Sequence, residues 1–436
     1  LPVMTSSINQ TTTFLNHMNV YGANKVIDYA YIPDRYGNIV QYRDFGNLKA
    51  TYTYDELTQL VREDNMYSGK SVVYEYDGGG NIVTKKEYGY TTGALGEVQK
   101  TVSYGYDEVW KDLLKSYDGQ AIAYDWVGNP LTWRDGLAFT WSNGRQLTGA
   151  TKDGTALSFG YNSDGLRLHK TVGTTRTDYE WDGSALLAEQ TGNNKILYLY
   201  DGTGLIGFKR NGVTYTYVYN GLGDVMEILD KDGNAVVSYL YDAWGAPISI
   251  TGPMASTLGV QNPIRYRGYY YDTETGLYYI NSRYYDPVVG RWINADSVIA
   301  GINGSVQGYN LFSYCFNNPV NMSDHSGHWP QWLKDAASWV NDNVIQPVAD
   351  FFSPSTSTIS GQFQDGILRG SGSLTGGYSE FNGRLQVNSK DSKSNGMLGG
   401  YAKVSAGNAS GKVGIGNDDV ALSLKGVGDG LTATAQ

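Results

Sequence analysis

The phrase Tyr198-Leu199-Tyr200-Asp201, with a glycine at position 204, decides the fold of this chain. It returns as Tyr239-Leu240-Tyr241-Asp242, again with a glycine three residues on, at 245. The second aromatic position recurs every 19 to 22 residues at Trp141, Tyr161, Trp181, Tyr200, Tyr219 and Tyr241, and less evenly before them at Tyr54, Tyr76, Tyr106 and Tyr124. So steady a period predicts a repeat architecture.

Each period predicts one β-hairpin. Aromatic residues at alternate positions, such as Tyr217 and Tyr219, point to one face of a strand because the side-chain period of a strand is two. The Asp or Asn that follows can accept a hydrogen bond from the backbone amide two residues on, and the glycine closes the turn in a left-handed conformation. Roughly eleven hairpins between Tyr29 and Ile250 therefore predict an all-β ribbon of about 22 strands, which must twist and curl. Closed into one ring, it would be about 30 Å across, too small to enclose a folded domain.

Composition narrows the class of protein. The 436 residues include 33 Lys plus Arg and 43 Asp plus Glu, a net charge of −10, and this balance lacks the basic stripe expected of a nucleic-acid-binding protein. No run of roughly 20 apolar residues predicts a membrane span. Cys315 is the only cysteine, so no internal disulfide can form. Because the chain opens at Leu1 and stops within a patterned segment, we expect a fragment of a longer protein.

A segment that is richer in aromatic residues follows the hairpins. It contains Arg283-Tyr284-Tyr285-Asp286-Pro287 with Gly290-Arg291-Trp292, then Asn310-Leu311-Phe312-Ser313-Tyr314, then Asn317-Asn318-Pro319-Val320-Asn321. These phrases resemble the core domain associated with RHS repeats, and the upstream hairpins resemble YD repeats of the teneurin-like kind. The resemblance covers residues 29–328. It implies a spiralling hairpin shell around a C-terminal effector, often a toxin, in a secreted or cell-surface bacterial protein.

Four segments are predicted on this basis: a YD-repeat hairpin shell over 1–262, the RHS core over 263–328, an amphipathic helix with a linker over 329–353, and a Gly/Ser-rich effector-side segment over 354–436. Apolar residues spaced by three or four predict the helix across 330–352. It lacks a cationic face, so we expect it to dock onto protein rather than insert into a membrane. Alternating patches in the last segment indicate either weak strands or a low-complexity tail, and we favour strands.

The resemblance also implies self-cleavage by paired aspartates at the end of the core, after His328. The two family phrases fall on Asp296 and Asp324. Such chemistry needs two carboxylates close enough to share a proton, so that one acts as the acid while the other activates water.

The sequence departs from the family pattern around both aspartates. Ser297 and His325 replace the expected prolines, and Ala295 stands where an arginine commonly precedes the first aspartate. A simpler interpretation is that Asp296, Asp324 and also Asp286 cap turns, as the aspartates of the repeats do. Both interpretations stay open from the sequence.

Other candidate sites are weaker. His325 and His328 could bind a metal ion, but no carboxylate or cysteine stands at ligand spacing, so we predict no metal and no cofactor. Cys315 has no histidine near it in the sequence and is expected to be a small buried residue. Rows of Tyr and Trp could stack on sugars, although packing of the wall is the simpler role.

Three functions therefore compete: a shell that houses its own C-terminal effector segment, a single-turnover aspartyl autoprotease, and an adhesion surface for glycans or a protein. Further partners of the shell would be an immunity or delivery protein.

Overall fold

The computed structural model describes residues 3–8, 15–22, 25–202, 204–296, 306–324 and 327, together with seven strand segments between 358 and 435. Antiparallel strands follow one another in chain order through two sheets, one of 11 strands and one of 12. Two isolated bridges, Tyr124 with Pro130 and Thr132 with Ala138, link the sheets along the ribbon. The all-β ribbon of hairpins predicted from the sequence is confirmed.

The first sheet consists of β1 (Val3–Ile8), β2 (Leu15–Gly22), β3 (Lys25–Pro33), β4 (Ile39–Asp44), β5 (Asn47–Tyr54), β6 (Leu60–Asn65), β7 (Lys70–Tyr76), β8 (Ile82–Gly89), β9 (Lys100–Tyr106), β10 (Leu114–Tyr117) and β11 (Gln120–Ala121). The second consists of β12 (Ala138–Ser142), β13 (Gln146–Lys152), β14 (Thr155–Tyr161), β15 (Arg167–Val172), β16 (Thr175–Asp182), β17 (Ala185–Thr191), β18 (Asn194–Asp201), β19 (Gly204–Arg210), β20 (Val213–Tyr219), β21 (Val225–Leu229), β22 (Ala235–Tyr241) and β23 (Pro247–Thr251).

The turns form as the sequence predicts. In the first complete phrase, Oδ1 of Asp34 accepts hydrogen bonds from the backbone amides of Tyr36 (2.8 Å) and Asn38 (3.0 Å), and Gly37 takes a left-handed φ of 97°. The same two amide bonds, from the residues two and four positions on, recur at Asp55, Asp77, Asp125, Asn162, Asn220, Asp230 and Asp242. All but the Asp230 turn lie along one edge of the ribbon, which we call the turn edge.

The second aromatic residue of the phrase has a role that the spacing alone does not disclose. The Tyr76 hydroxyl donates to the carbonyl of Leu60, at the start of the preceding strand, over 2.6 Å. Regular pairing of β6 with β7 stops at Arg62 and Val73, so the hydroxyl takes over where the ladder ends. The equivalent bond, from the second aromatic residue to a backbone carbonyl 10 to 24 residues earlier in the chain, is made by Tyr54, Tyr76, Tyr106, Tyr124, Trp141, Tyr161, Trp181, Tyr200 and Tyr241. Tryptophan can replace tyrosine here because its indole N–H is also a donor.

The ribbon curls until distant repeats meet. The backbone amide of Gly221 donates to the Tyr31 hydroxyl over 2.8 Å, and the amide of Ala243 donates to Oε1 of Glu63 over 2.9 Å. About 17 strands separate β3 from the turn at 220–224, so one circuit is on the order of 80 Å and the ring about 25 Å across. We call this meeting of early and late repeats the seam.

The core segment fills the ring. A four-stranded antiparallel sheet follows a short turn of π-helix (Ala255–Gly259) and comprises β24 (Tyr270–Asp272), β25 (Leu277–Ile280), β26 (Arg283–Asp286) and β27 (Arg291–Trp292). Short 3-10 turns lie at Arg134–Gly136, Tyr266–Gly268, Val306–Tyr309 and Cys315–Asn317. Tyr278, Tyr285 and Tyr314 have no measurable exposure, and the rings of Tyr285 and Tyr314 stack 4.1 Å apart. The aromatic texture of the core therefore reflects packing inside the ring.

Buried ion pairs join the ring to the core. The Arg167 guanidinium forms a two-point pair with Asp272, at 2.6 Å and 3.1 Å, and Lys170 adds a third contact at 2.9 Å. Arg134 pairs in the same way with Asp286. Each arginine comes from the ring and each aspartate from the core, so these pairs specify how the two parts dock.

A seven-stranded antiparallel sheet lies near the C-terminus of the chain. Its strands are β28 (Thr358–Asp365), β29 (Leu368–Thr375), β30 (Phe381–Asn388), β31 (Met397–Ser405), β32 (Asn408–Ile415), β33 (Asp418–Val427) and β34 (Gly430–Ala435). These are the residues in which alternation favoured strands. The helix predicted across 330–352 lies outside the described residues.

Replacing Tyr76 with phenylalanine should lower the free energy of unfolding by about 1 kcal/mol, because the buried hydrogen bond to Leu60 is lost while the ring is kept. Tyr309→Phe is the matched control, since Tyr309 is 56% exposed, and its change should stay below about 0.5 kcal/mol. Urea unfolding followed by tryptophan fluorescence measures both. Equal destabilisation of the two variants would contradict the role assigned to the Tyr76 hydroxyl.

Replacing Arg167 with methionine should destabilise the protein by about 3–5 kcal/mol, because Asp272 is left buried with one cation fewer. Arg176→Met is the control: Arg176 pairs with Asp178 at 2.7 Å, but both side chains are more than half exposed, and loss of such a pair costs about 0–1 kcal/mol. The same urea titration compares them. A small effect at Arg167 would show that the ion pair does not hold the core in the ring.

Candidate functional site

The two aspartates singled out by the sequence meet at one arginine. Nη2 of Arg283 lies 2.7 Å from Oδ2 of Asp296 and 3.5 Å from Oδ2 of Asp324. All three side chains are buried, with exposures of 5%, 7% and 2% respectively. Two carboxylates and one guanidinium therefore share a small buried space at the end of the core.

Hydrogen bonds of the backbone hold both aspartates in position. The Asp296 amide donates to the carbonyl of Leu311 over 3.0 Å, and the Asp324 amide donates to the Tyr269 hydroxyl over 2.8 Å. Oδ1 of Asp324 also accepts the amide of Gly327 over 2.9 Å, which is a turn cap. The turn-capping role considered for Asp324 is therefore present, and its second oxygen faces Arg283.

Arg283 is held on several sides. Its guanidinium lies 3.9 Å from the ring centre of Trp292, and it donates to the carbonyls of Leu311 and Gly327. Burial lowers the pKa of Arg283, and the neighbouring Asp296 and Asp324 carboxylates oppose that shift. The cation is thus kept in a dry site by two anions.

A second arginine reaches the site from the ring. Nη1 of Arg145 donates to the carbonyls of Ala295 and Asp296, at 2.5 Å and 2.9 Å. The arginine expected immediately before Asp296 is absent from the sequence, yet guanidinium groups from Arg145 and Arg283 surround this position. Its positive charge comes from residues distant in the chain.

A cleft of about 380 Å³ adjoins the site. It lies between turns of the ring and the core, and its lining includes Arg145, Asp164, Asn281, Ser282, Arg283 and Asn294. Oδ1 of Asn294 is buried and has no hydrogen-bond partner among the described residues. Asn281 takes a left-handed φ of 47°, an uncommon conformation for a residue other than glycine.

The arrangement suits ion pairing more directly than acid–base catalysis. An aspartyl mechanism needs two carboxyl groups that share a proton. Here both carboxyl groups instead lie within ion-pairing distance of one guanidinium, that of Arg283. Catalysis would require Arg283 to withdraw from one of the two carboxylates. In this structure Arg283, Asp296 and Asp324 form a buried ion-pair cluster, which we call the clasp, and it holds the end of the core in place.

The remaining candidates separate into three groups. Asp286 is fully buried, caps the amides of Val288 and Val289 and pairs with Arg134, so it is structural. Cys315 is buried as expected, and burial raises the pKa of its thiol. His325 and His328 lie outside the described residues, as does the bond after His328. Within the described ranges, no group of three or more His, Cys, Asp or Glu side chains could hold a metal ion.

Arg283 was missed as a site residue, although a signal for it was present. It stands in the run Tyr278 to Tyr285, which contains four tyrosines and one isoleucine. An arginine buried in such a run must have an anionic partner. The sequence does not say which of the many aspartates provides it.

Comparisons with known proteins agree with this architecture. The model of the teneurin YD-shell family matches residues 3–320. The tRNA nuclease WapA of Bacillus subtilis is 38% identical over 289 residues, and the tRNA3(Ser)-specific nuclease WapA of Bacillus spizizenii is 36% identical over 289 residues. Each match covers 64% of this chain, and the chain spans 12% of the length of each nuclease.

Solved structures share the fold. A crystal structure of TcdB2-TccC3-Cdc42 superposes with a TM-score of 0.61 at 21% identity, covering 75% of this chain and 18% of that one. A structure of the Photorhabdus luminescens Tc holotoxin pore gives 0.58 at 20% identity, covering 76% and 18%. In the part of the chain that the structure describes, no helix is long and apolar enough to cross a membrane. The family match extends over well more than half of the sequence, and the chain belongs to the teneurin YD-shell family.

Proposed function

We propose that this chain is the sealed end of a shell that houses a C-terminal effector, as part of a secreted or cell-surface bacterial toxin. The observation that carries the proposal is the closed ring: repeats 180 to 190 residues apart meet at the seam, and the core fills the space within. The ring forms the wall of the shell, and the core, which fills the ring, acts as its stopper. Wall and stopper are structural roles that need no cofactor.

The turn edge is the sealed side. Residues at or beside the turns of successive repeats bond to the core there. The side-chain amide of Asn317 donates to Oε1 of Gln59 (2.8 Å) and to the carbonyl of Gly80 (2.6 Å), and the side-chain amide of Asn321 donates to the Tyr54 hydroxyl (3.0 Å). In this proposal, a cargo chamber would continue from the opposite edge of the ribbon.

The core leaves no room for a folded cargo inside this ring. Housing an effector would need further wall, which fits with a chain that spans only 12% of its nuclease relatives. Those relatives are named for tRNA cleavage, and a Burkholderia cenocepacia relative at 26% identity is named a double-stranded DNA deaminase toxin. In our proposal this chain contributes the shell common to such proteins, and the effector contributes the chemistry. An immunity or delivery protein would be a further partner.

Aromatic rows on the inner face of the ribbon do not support a glycan-binding role. Tyr29, Tyr31, Tyr74 and Tyr104 are all buried. Rings in this position cannot stack on a sugar without opening the wall.

Limited proteolysis tests the shell. With a non-specific protease, residues 25–324 should survive as one large fragment, because the strands β3 to β23 belong to a ring that meets at the seam and is packed on its core. The first cuts should fall beyond residue 353, in the part of the sequence that follows ribbon and core. Mass spectrometry maps the fragments over time. Early cuts spread through the strands of residues 25–324 would contradict a closed ring that is filled by its core.

A second candidate function is a single self-cleavage after His328. The observation that favours it is the convergence of Asp296 and Asp324 on Arg283, close to Gly327. One carboxylate would take a proton from water as it attacks the peptide carbonyl, while the other, protonated, would donate to the leaving amine.

Intact mass spectrometry of freshly made protein, held between pH 4 and 8, decides this second function. Self-cleavage predicts a fragment ending at His328 that is absent from both Asp296→Asn and Asp324→Asn. Asp135→Asn, at an exposed aspartate of the ring, is the control and should cleave like the unmodified chain. An intact chain under every condition would leave the three side chains as a clasp only.

A further inference from the structure

The seam contains a buried carboxyl group with an unusual setting. Glu63 lies on β6 and is 1% exposed. Its Oε1 accepts the Asn65 side-chain amide and the Ala243 backbone amide, each at 2.9 Å. Its Oε2 is buried and has no hydrogen-bond partner among the described residues. One oxygen of Glu63 thus ties the early repeats to the late ones, and the other is unsatisfied.

A second carboxylate faces Glu63 across the seam. Asp242 begins the turn at 242–246, and its Oδ1 accepts the amides of Trp244 (3.0 Å) and Ala246 (2.8 Å). The ring of Trp244 packs on Tyr74 of β7, with centres 5.6 Å apart. The seam is therefore a joint between β6–β7 and this turn, with a carboxyl group on each side.

The groups around Glu63 supply little positive charge. Lys85 of β8 is the cation that acts on both carboxyl groups, but it forms no ion pair with either within the described part of the chain. The other titratable neighbours are Tyr52 and Tyr54 of β5 and Tyr74 of β7, and burial raises the pKa of each phenol above its usual range. These tyrosines stay neutral and cannot offset a negative charge.

We propose that the seam is a proton-dependent closure of the ring, held shut by a neutral Glu63 and favoured to open as pH rises. Two ionised carboxylates facing each other in a buried joint repel, whereas a protonated Glu63 removes one of the charges. On opening, Glu63 becomes solvated and ionises, so each opened ring releases one proton. This device does not depend on what the ring encloses.

The raised pKa of Glu63 determines in which direction, and over which pH range, the seam opens. Burial, reinforced by Asp242, raises the pKa of Glu63 from 4.5 in the opened state to about 8 in the closed ring. Below about 4.5 both states hold the proton, and above about 8 neither does, so the opening equilibrium is constant in those ranges. Between them, opening becomes about tenfold more favourable per pH unit, because one proton is released. Acid therefore closes the seam, and a neutral to mildly alkaline solution loosens it.

Hydrogen–deuterium exchange at the seam tests the proposal on the whole chain. Peptides covering 60–66 and 240–247 are followed at pH 5, 6, 7 and 8, with rates corrected for the intrinsic pH dependence of amide exchange. In the unmodified chain the corrected opening should increase by at least about thirtyfold from pH 5 to 8. Glu63→Gln keeps an oxygen for the Ala243 amide without an ionisable proton, and its corrected opening should change by less than about threefold.

Two further variants make the test specific. Asp242→Asn keeps the turn, since Asn162 and Asn220 hold the same turn position elsewhere in the ribbon, and removal of its charge should reduce the pH dependence without abolishing it. Glu180→Gln, at an exposed residue of β16, should behave like the unmodified chain. A seam whose corrected exchange is the same at pH 5 and 8 would refute the proposal, as would a folded Glu63→Gln that retains the full dependence. If Glu63→Gln does not fold, unchanged pH dependence in Asp242→Asn refutes it instead.

Discussion

Burial of the ribbon's inner face against the core is the constraint on which the rest of the structure depends. A sheet of hairpins with aromatic side chains on one face is stable only if that face is removed from water. Here the ribbon covers it by curling around residues 264–296 and 306–324, which bring a second aromatic surface. Arg134 and Arg167 enter this interface with their aspartates already placed in the core, so the same contact that buries apolar area must also pair every charge. A core of different charge pattern would leave buried arginines unpaired, at a cost of several kcal/mol each.

The sequence predicts what is local and fails where contact is distant. Asp34, Gly37 and Asn38 form the expected turn because the hydrogen bonds join residues two to four apart. The all-β ribbon follows from repetition of that unit, and the approximate size of the ring follows from the strand count. Nothing local indicates that Glu63 meets Ala243 or that Gln59 meets Asn317, residues 180 and 258 positions apart. The site around Asp296 belongs to the second kind, since its arginines come from positions 145 and 283.

Aspartates in this protein fall into a graded series. Those of the repeats, such as Asp34, accept backbone amides at the surface. Asp286 caps a turn with one oxygen and pairs with Arg134 through both, and Asp324 caps with one oxygen and faces Arg283 with the other. In the core, capping and ion pairing are thus combined in a single aspartate side chain. A catalytic use of Asp296 or Asp324 would require the loss of one counter-charge, so the ion pairs with Arg283 bear on the chemistry of the two aspartates as directly as the motif does.

The order of the chain determines when the inner face is covered. Every hairpin pairs with its neighbour, so the ribbon can assemble from local contacts as soon as its residues are available. The core follows the whole ribbon in the sequence, and its bonds to Ile39, Gln59 and Asn81 close loops of more than 200 residues. Until those bonds form, the aromatic face and the inward arginines remain open to water and to other chains. Polar amides at the core's end, Asn310, Asn317 and Asn321, then dock onto the capped turns themselves. The repeats therefore form the ring and, through the free acceptors at their turns, also provide the hydrogen-bond partners that the core needs to dock inside it.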